Sequence, residues 1–143
     1  MIFFAFNWGL ARRLANRGIY VEGQKLLVEI CKQLMDEPKL WAIYDESDQE
    51  VPADDLIFKA KLRGFAHLHL NMFEIMFLEA PREAWFGENQ SNVWGRYFKT
   101  TLKNSTLIRE VLAEPEGKGI WSKRMMKRYV AWKKEAGCHV QGK

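Results

Sequence analysis

Residues 54–81, DDLIFKAKLRGFAHLHLNMFEIMFLEAP, decide how the rest of the chain must be read. Phe58, Leu62, Phe65, His69, Met72, Phe73 and Met76 recur at the three-to-four-residue spacing of an α-helix and share one face. Ile57, Leu68, Ile75 and Leu78 widen that face until the helix is apolar nearly all round. A helix of this kind must have neighbours on several sides, so it is expected at the centre of its domain. Asp54 or Asp55 is placed to cap its start, and Pro81 requires it to end by about Glu79.

The flanking segments supply the expected neighbours. Upstream, Leu26, Leu27, Ile30, Cys31 and Leu34 form an apolar stripe opposite Glu22, Lys25, Glu29 and Lys32, in a helix that begins near Tyr20. Pro38 ends it and opens a short helix to Tyr44, with Leu40, Trp41 and Tyr44 expected inward. Downstream, Ser91 or Asn92 is the expected cap of a helix carrying Val93, Trp94, Tyr97, Phe98 and Leu102. Ser105 caps the next, with Leu107, Ile108, Val111 and Leu112 inward. The polar turn EPEGKG leads to a last helix, about Ile120 to Glu135, whose inward line is Trp121, Met125, Tyr129 and Trp132.

No alternating strand pattern and no hairpin dipeptide interrupts this series. The expectation is an all-α, single compact bundle of six to seven helices around one long central helix. With 143 residues, 48% hydrophobic and 13% aromatic, the chain has enough apolar area for one core. The organisation expected is an apolar N-terminal helix over 1–18, ended by Gly18 in the left-handed conformation, a helical domain over 19–136, and a flexible tail over 137–143. The N-terminal helix is either a membrane anchor or a docked element. Its first ten residues, MIFFAFNWGL, would reach about 15 Å as a helix, half of a hydrocarbon core, so as written they cannot span. They also lack the charged start of a secretory signal.

Chemical motifs are sparse. There is no phosphate loop, dinucleotide fingerprint, nucleophile elbow or paired Cys-x-x-Cys. His67 and His69 lie two apart and point about 200° from one another on a helix, so they cannot clasp one metal ion. His69, beside Phe65, Phe73 and Met76, is read as a hydrogen-bonded core histidine rather than a haem or pigment ligand. The pairs Asp45/Glu46 and Asp54/Asp55 belong to solvation and capping. Cys138 and His139 adjoin in the tail, and the two cysteines of the chain suggest a reducing compartment and no disulfide framework. The chain is expected to have no enzymatic activity, no cofactor, no metal site and no identifiable small-molecule substrate.

Charge is the one uneven property. From Lys118 onward there are eight Lys/Arg against Glu135 alone, a net +7, which leaves −3 of the overall +4 to the remainder. Lys123, Arg124, Lys127, Arg128, Lys133 and Lys134 are expected to form a cationic face for an anionic surface. Phe3, Phe4 and Trp8, followed by Arg12, Arg13 and Arg17, are a second signal for a membrane or partner contact, and stable anchoring generally takes two. The expected function is therefore a non-enzymatic interaction domain. It would sit at a membrane surface or act as an accessory subunit of a larger membrane assembly, in the cytoplasm at the inner face of the plasma membrane. The partner is a protein or an anionic membrane. The alternative is a soluble regulator binding nucleic acid through the same helix, less favoured because no reading motif accompanies the charge. A further alternative is an ordinary core helix with a solvated outer face.

The pattern LVEICKQLMDEPKLWAIYD, then LHLNMFEIMF, then VWGRYF, NSTLIREVL and a basic helix bearing Trp and Tyr, resembles a loosely defined group of small bacterial all-helical proteins of unknown function. The resemblance covers about residues 20–134. Members often carry an N-terminal membrane segment, which the apolar start would match in truncated form. The resemblance implies no catalytic residues.

Overall fold

The computed structural model describes residue 18 and residues 21–79, 88–114 and 120–140, with the backbone alone described at 78–79, 88–93 and 138–140. All regular structure among these residues is helical: α1 (residues 21–36), a 3₁₀ helix (Pro38–Ile43), α2 (Leu56–Glu79), α3 (Glu88–Asn104), α4 (Thr106–Ala113) and α5 (Lys123–Val140). The chain is thus a compact all-α bundle, and α2 is its axis, packing against the 3₁₀ helix, α3, α4 and α5.

The start of α2 is fixed by Asp55, whose Oδ1 accepts the Phe58 amide at 2.8 Å, one of the donors a helix start leaves without an intrahelical acceptor. Its first three turns keep one wet side, with Lys59, Lys61, Arg63 and Gly64 exposed. From Phe65 to Phe77 only Asn71 is exposed, so the helix sinks into the core as it proceeds. Ile57, expected to widen the buried face, is instead 85% exposed, while the adjacent Phe58 is buried. The interior is an aromatic cluster: Phe73 stands edge-on to Phe98 and Tyr97 at 5.0 and 5.2 Å, and Phe77 edge-on to Phe98 at 5.1 Å.

α1 packs tightly against α2 at Gly23, where a Cβ would collide with the Met76 thioether. The buried face of α1 is centred on Gly23, Ile30 and Leu34, with Leu26 and Leu27 half-buried beside them. The stripe is narrower than the sequence suggests: Cys31, expected within it, is exposed, as are Val21, Val28 and Met35. Gly18 is helical rather than a left-handed terminator.

Pro38 opens a helix as expected, but of the 3₁₀ kind. With three residues per turn, Leu40 and Ile43 eclipse and are both buried, whereas Trp41 turns out to 48% exposure and Tyr44 to partial burial. The 3.6-residue period would have placed Trp41 inward.

Two other boundaries differ. α3 starts at Glu88, so Ser91 and Asn92 lie within it rather than capping it; either residue costs a helix interior only about 0.7 kcal/mol or less, which packing overrides. α5 starts at Lys123, after Trp121, and runs to Val140, past the expected end at Glu135.

The α3–α4 break is densely hydrogen-bonded. Ser105 is buried; its hydroxyl donates to the Ile43 carbonyl at 2.6 Å and accepts the Ile108 amide at 3.2 Å, capping α4. Asp45 completes the clamp. Its amide donates to the Asn104 carbonyl at 2.8 Å, and its carboxylate accepts the Thr106 amide and hydroxyl at 2.8 Å each, with Arg109 at 3.5 Å. Asp45 is therefore a structural residue that ties the end of the 3₁₀ helix to the start of α4.

Candidate functional site

α5 is attached to the bundle through one side and its beginning. Trp121, Met125 and Tyr129 are buried, and Trp132 and Met126 are partly so. Ser122 caps the helix: its hydroxyl accepts the Met125 amide at 3.1 Å. Ser122 is itself held by Glu74 of α2, which accepts its amide at 2.8 Å and its hydroxyl at 3.1 Å. The Glu74 carboxylate thus lies at the positive end of the helix dipole, where negative charge is favourable.

With α5 seated in this way, all six predicted cations, Lys123, Arg124, Lys127, Arg128, Lys133 and Lys134, are exposed. They are not equivalent. At 100° per residue, Lys123, Lys127 and Lys134 line the outermost meridian, opposite Met125 and Tyr129, with Val130 between them at 49% exposure. Arg124 and Arg128 lie along one flank and Lys133 along the other. The flanking pair nearest the body engages rings: the Arg128 guanidinium sits 4.3 Å from the centre of Phe77, and the Lys133 ammonium 5.5 Å from that of Tyr129. Glu135 pairs with Lys99 of α3 at 2.8 Å, an exposed pair that contributes little to stability. Among the described residues, no carboxylate pairs with Lys123, Lys127 or Lys134. The three run about 16 Å along the helix at 1.5 Å per residue.

His69 is fully buried. Its Nδ1 lies 2.9 Å from the Phe65 carbonyl and its Nε2 3.2 Å from the Tyr44 hydroxyl. A carbonyl only accepts, so Nδ1 carries the proton and Nε2 accepts from Tyr44. Both nitrogens are satisfied by the neutral ring. Desolvation holds its pKa below the ordinary histidine value, against a smaller opposing effect of the Phe65 carbonyl, and burial raises the Tyr44 phenol. His69 is the hydrogen-bonded core histidine its setting suggests. His67 is separate from it, stacked on Trp121 with ring centres 5.9 Å apart.

No group of three His, Cys, Asp or Glu among the described residues could hold a metal ion. No helix among them is long and apolar enough to cross a membrane. Phe3, Phe4, Trp8, Arg12, Arg13 and Arg17 lie outside the described residues, as do the side chains of Cys138 and His139. Comparison with known protein families, with characterised proteins and with solved structures finds no match to this chain.

One grouping was not legible beforehand. Trp41, Tyr44 and Tyr97 line a common cleft with the loop after the 3₁₀ helix. Recognising Pro38-x-x-Trp41-x-x-Tyr44 as a three-residue period, rather than as part of an α-helix, would have placed Trp41 and Tyr44 on that side.

Proposed function

We propose that this protein is a non-enzymatic interaction domain that attaches reversibly to an anionic membrane surface through the outer face of α5. The observation that carries this reading is the meridian Lys123, Lys127, Val130 and Lys134: three ammonium groups without carboxylate partners among the described residues, with an exposed apolar side chain between them. Each lysine close to an anionic leaflet contributes about 1 kcal/mol, and Val130 entering the headgroup boundary adds about 1 kcal/mol more. The sum is a weak, salt-sensitive attachment suited to a peripheral domain. Val130 also separates lipid from nucleic acid as the anion, because a phosphodiester backbone offers an apolar side chain nothing in return. The inner leaflet of the plasma membrane, being anionic, is the surface this chemistry fits. The Phe3, Phe4 and Trp8 segment with Arg12, Arg13 and Arg17 would supply a second attachment, as an accessory subunit of a membrane assembly would need.

Cosedimentation with vesicles tests the reading. The protein is expected to pellet with phosphatidylcholine vesicles containing one-third phosphatidylserine, to stay in solution with phosphatidylcholine alone, and to be released as sodium chloride rises from about 0.05 to 0.5 M. Equal binding to both vesicles, or none at low salt, would overturn it. A duplex DNA gel shift with a steep salt dependence, in the absence of vesicle binding, would assign the face to nucleic acid instead.

A further inference from the structure

A cleft of about 600 Å³ opens between the 3₁₀ helix, the loop that follows it and α3. Its walls are aromatic. Trp41 and Tyr44 meet at 47° with ring centres 5.7 Å apart, forming a corner rather than a stack, and Tyr97 supplies a third ring. Trp41 is the feature the fold does not explain: a large ring left 48% exposed, on a residue whose neighbours Leu40 and Ile43 are wholly buried. Glu46 and Asp48 also line the cleft, together with Ser47, Gln49 and Thr100. Neither carboxylate pairs with a cation among the described residues, and none of the lining residues is basic.

The cleft is also fixed in shape. Asp45 clamps the root of the loop to Asn104 and Thr106, the Ser47 amide donates to the Tyr44 carbonyl at 3.0 Å, and the Gln49 amide donates to Ser47 Oγ at 3.1 Å. The Tyr44 ring is held by its hydroxyl on His69. Burial raises both tyrosine pKa values, so both rings stay neutral, and the face of a neutral ring carries the partial negative charge that attracts a cation. Aromatic faces at an angle, with two uncompensated carboxylates beside them, favour one chemical class, a cation with apolar substituents. The rings attract its charge and cover its methyl groups, and the carboxylates complete its neutralisation. The two carboxylates are too few for a metal site, since no group of three His, Cys, Asp or Glu among the described residues could hold an ion, and an anion would be repelled.

We propose that this cleft binds an organic ammonium group, with Trp41, Tyr44 and Tyr97 as its aromatic walls and Glu46 and Asp48 as its counter-charges. A small molecule and a methylated lysine of a polypeptide both carry this group, and the chemistry recognised is the same. The site is separate from α5 and does not depend on the membrane reading.

Tetramethylammonium chloride titrated into the ¹⁵N-labelled full chain, with sodium chloride at matched ionic strength as control, tests the proposal. The expected result is saturable shifts of the Trp41 indole and of the Ser47, Asp48 and Tyr97 amides, with Kd in the range of about 1–10 mM for a single small cation. Trp41→Ala is expected to abolish the saturable shifts, and Glu46→Gln with Asp48→Asn to weaken them at least fivefold, each with Tm close to that of the parent. Tetramethylammonium shifts that do not saturate, or that sodium chloride reproduces, would overturn the proposal. So would equal binding of the uncharged isostere 3,3-dimethyl-1-butanol in place of choline, which would make the cleft merely apolar. A trimethyl-lysine peptide binding more than tenfold tighter than tetramethylammonium would assign the group to a polypeptide, and equal affinity would assign it to a small molecule.

Discussion

The α3–α4 break and the outer face of α5 are both polar, yet they treat their polar groups in opposite ways. At the break, Ser105, Asp45 and Thr106 spend their side-chain hydrogen bonds on one another's segments, joining residues about sixty positions apart. On α5, Lys123, Lys127 and Lys134 project from a helix already secured by Trp121, Met125, Tyr129 and the Ser122–Glu74 pair. Polar groups that the fold consumes are evidence about stability. Those that the fold positions and leaves facing outward are evidence about what the protein meets.

That contrast makes graded predictions. Ser105→Ala should cost most, about 2–3 kcal/mol in denaturant unfolding, since it removes a helix cap and leaves the Ile43 carbonyl unmet in a buried place. An effect below about 0.5 kcal/mol would mean that the break is not clamped by this residue. His69 should make stability fall as pH is lowered. Its folded-state pKa lies below the unfolded value, so above about pH 6.5 both states are neutral and the full stability is present. As pH drops from there toward the folded pKa, the unfolded state takes the proton first. Stability should then decline by up to about 1.4 kcal/mol per pH unit, and His69→Gln should remove that part of the slope in urea titrations between pH 7 and 5.

Asp45→Ala should cost about 1–1.5 kcal/mol, less than Ser105→Ala because the carboxylate is partly exposed and water can replace it at Thr106. The combined Lys123→Gln, Lys127→Gln and Lys134→Gln variant should change unfolding free energy by less than about 0.5 kcal/mol. A larger loss would show that these lysines belong to the fold after all.

The sequence made the first half of this comparison hard to see and the second half easy. The limits of α2 were legible because the Asp55 cap, the apolar period and Pro81 are all local. So was the sorting of α5, because Lys and Arg interleave with Trp, Met and Tyr at a helical spacing. The role of Asp45 was not, since its partners Asn104 and Thr106 become neighbours only in the folded chain. Trp41 was misplaced for a different reason: a six-residue helix can adopt either the 3.0 or the 3.6 period, and the choice decides which side the ring takes. Cys31 was misplaced because the width of a buried stripe depends on how neighbouring helices pack, which no single-helix pattern records.

Under the proposed reading, the three outer lysines of α5 are held for an anionic membrane and not for the bundle. Measuring vesicle affinity and Tm together on the triple Lys→Gln variant tests it most directly. An unchanged Tm and roughly a hundredfold weaker binding to phosphatidylserine vesicles are expected, from three contributions of about 1 kcal/mol each. Unchanged affinity at low salt would contradict it.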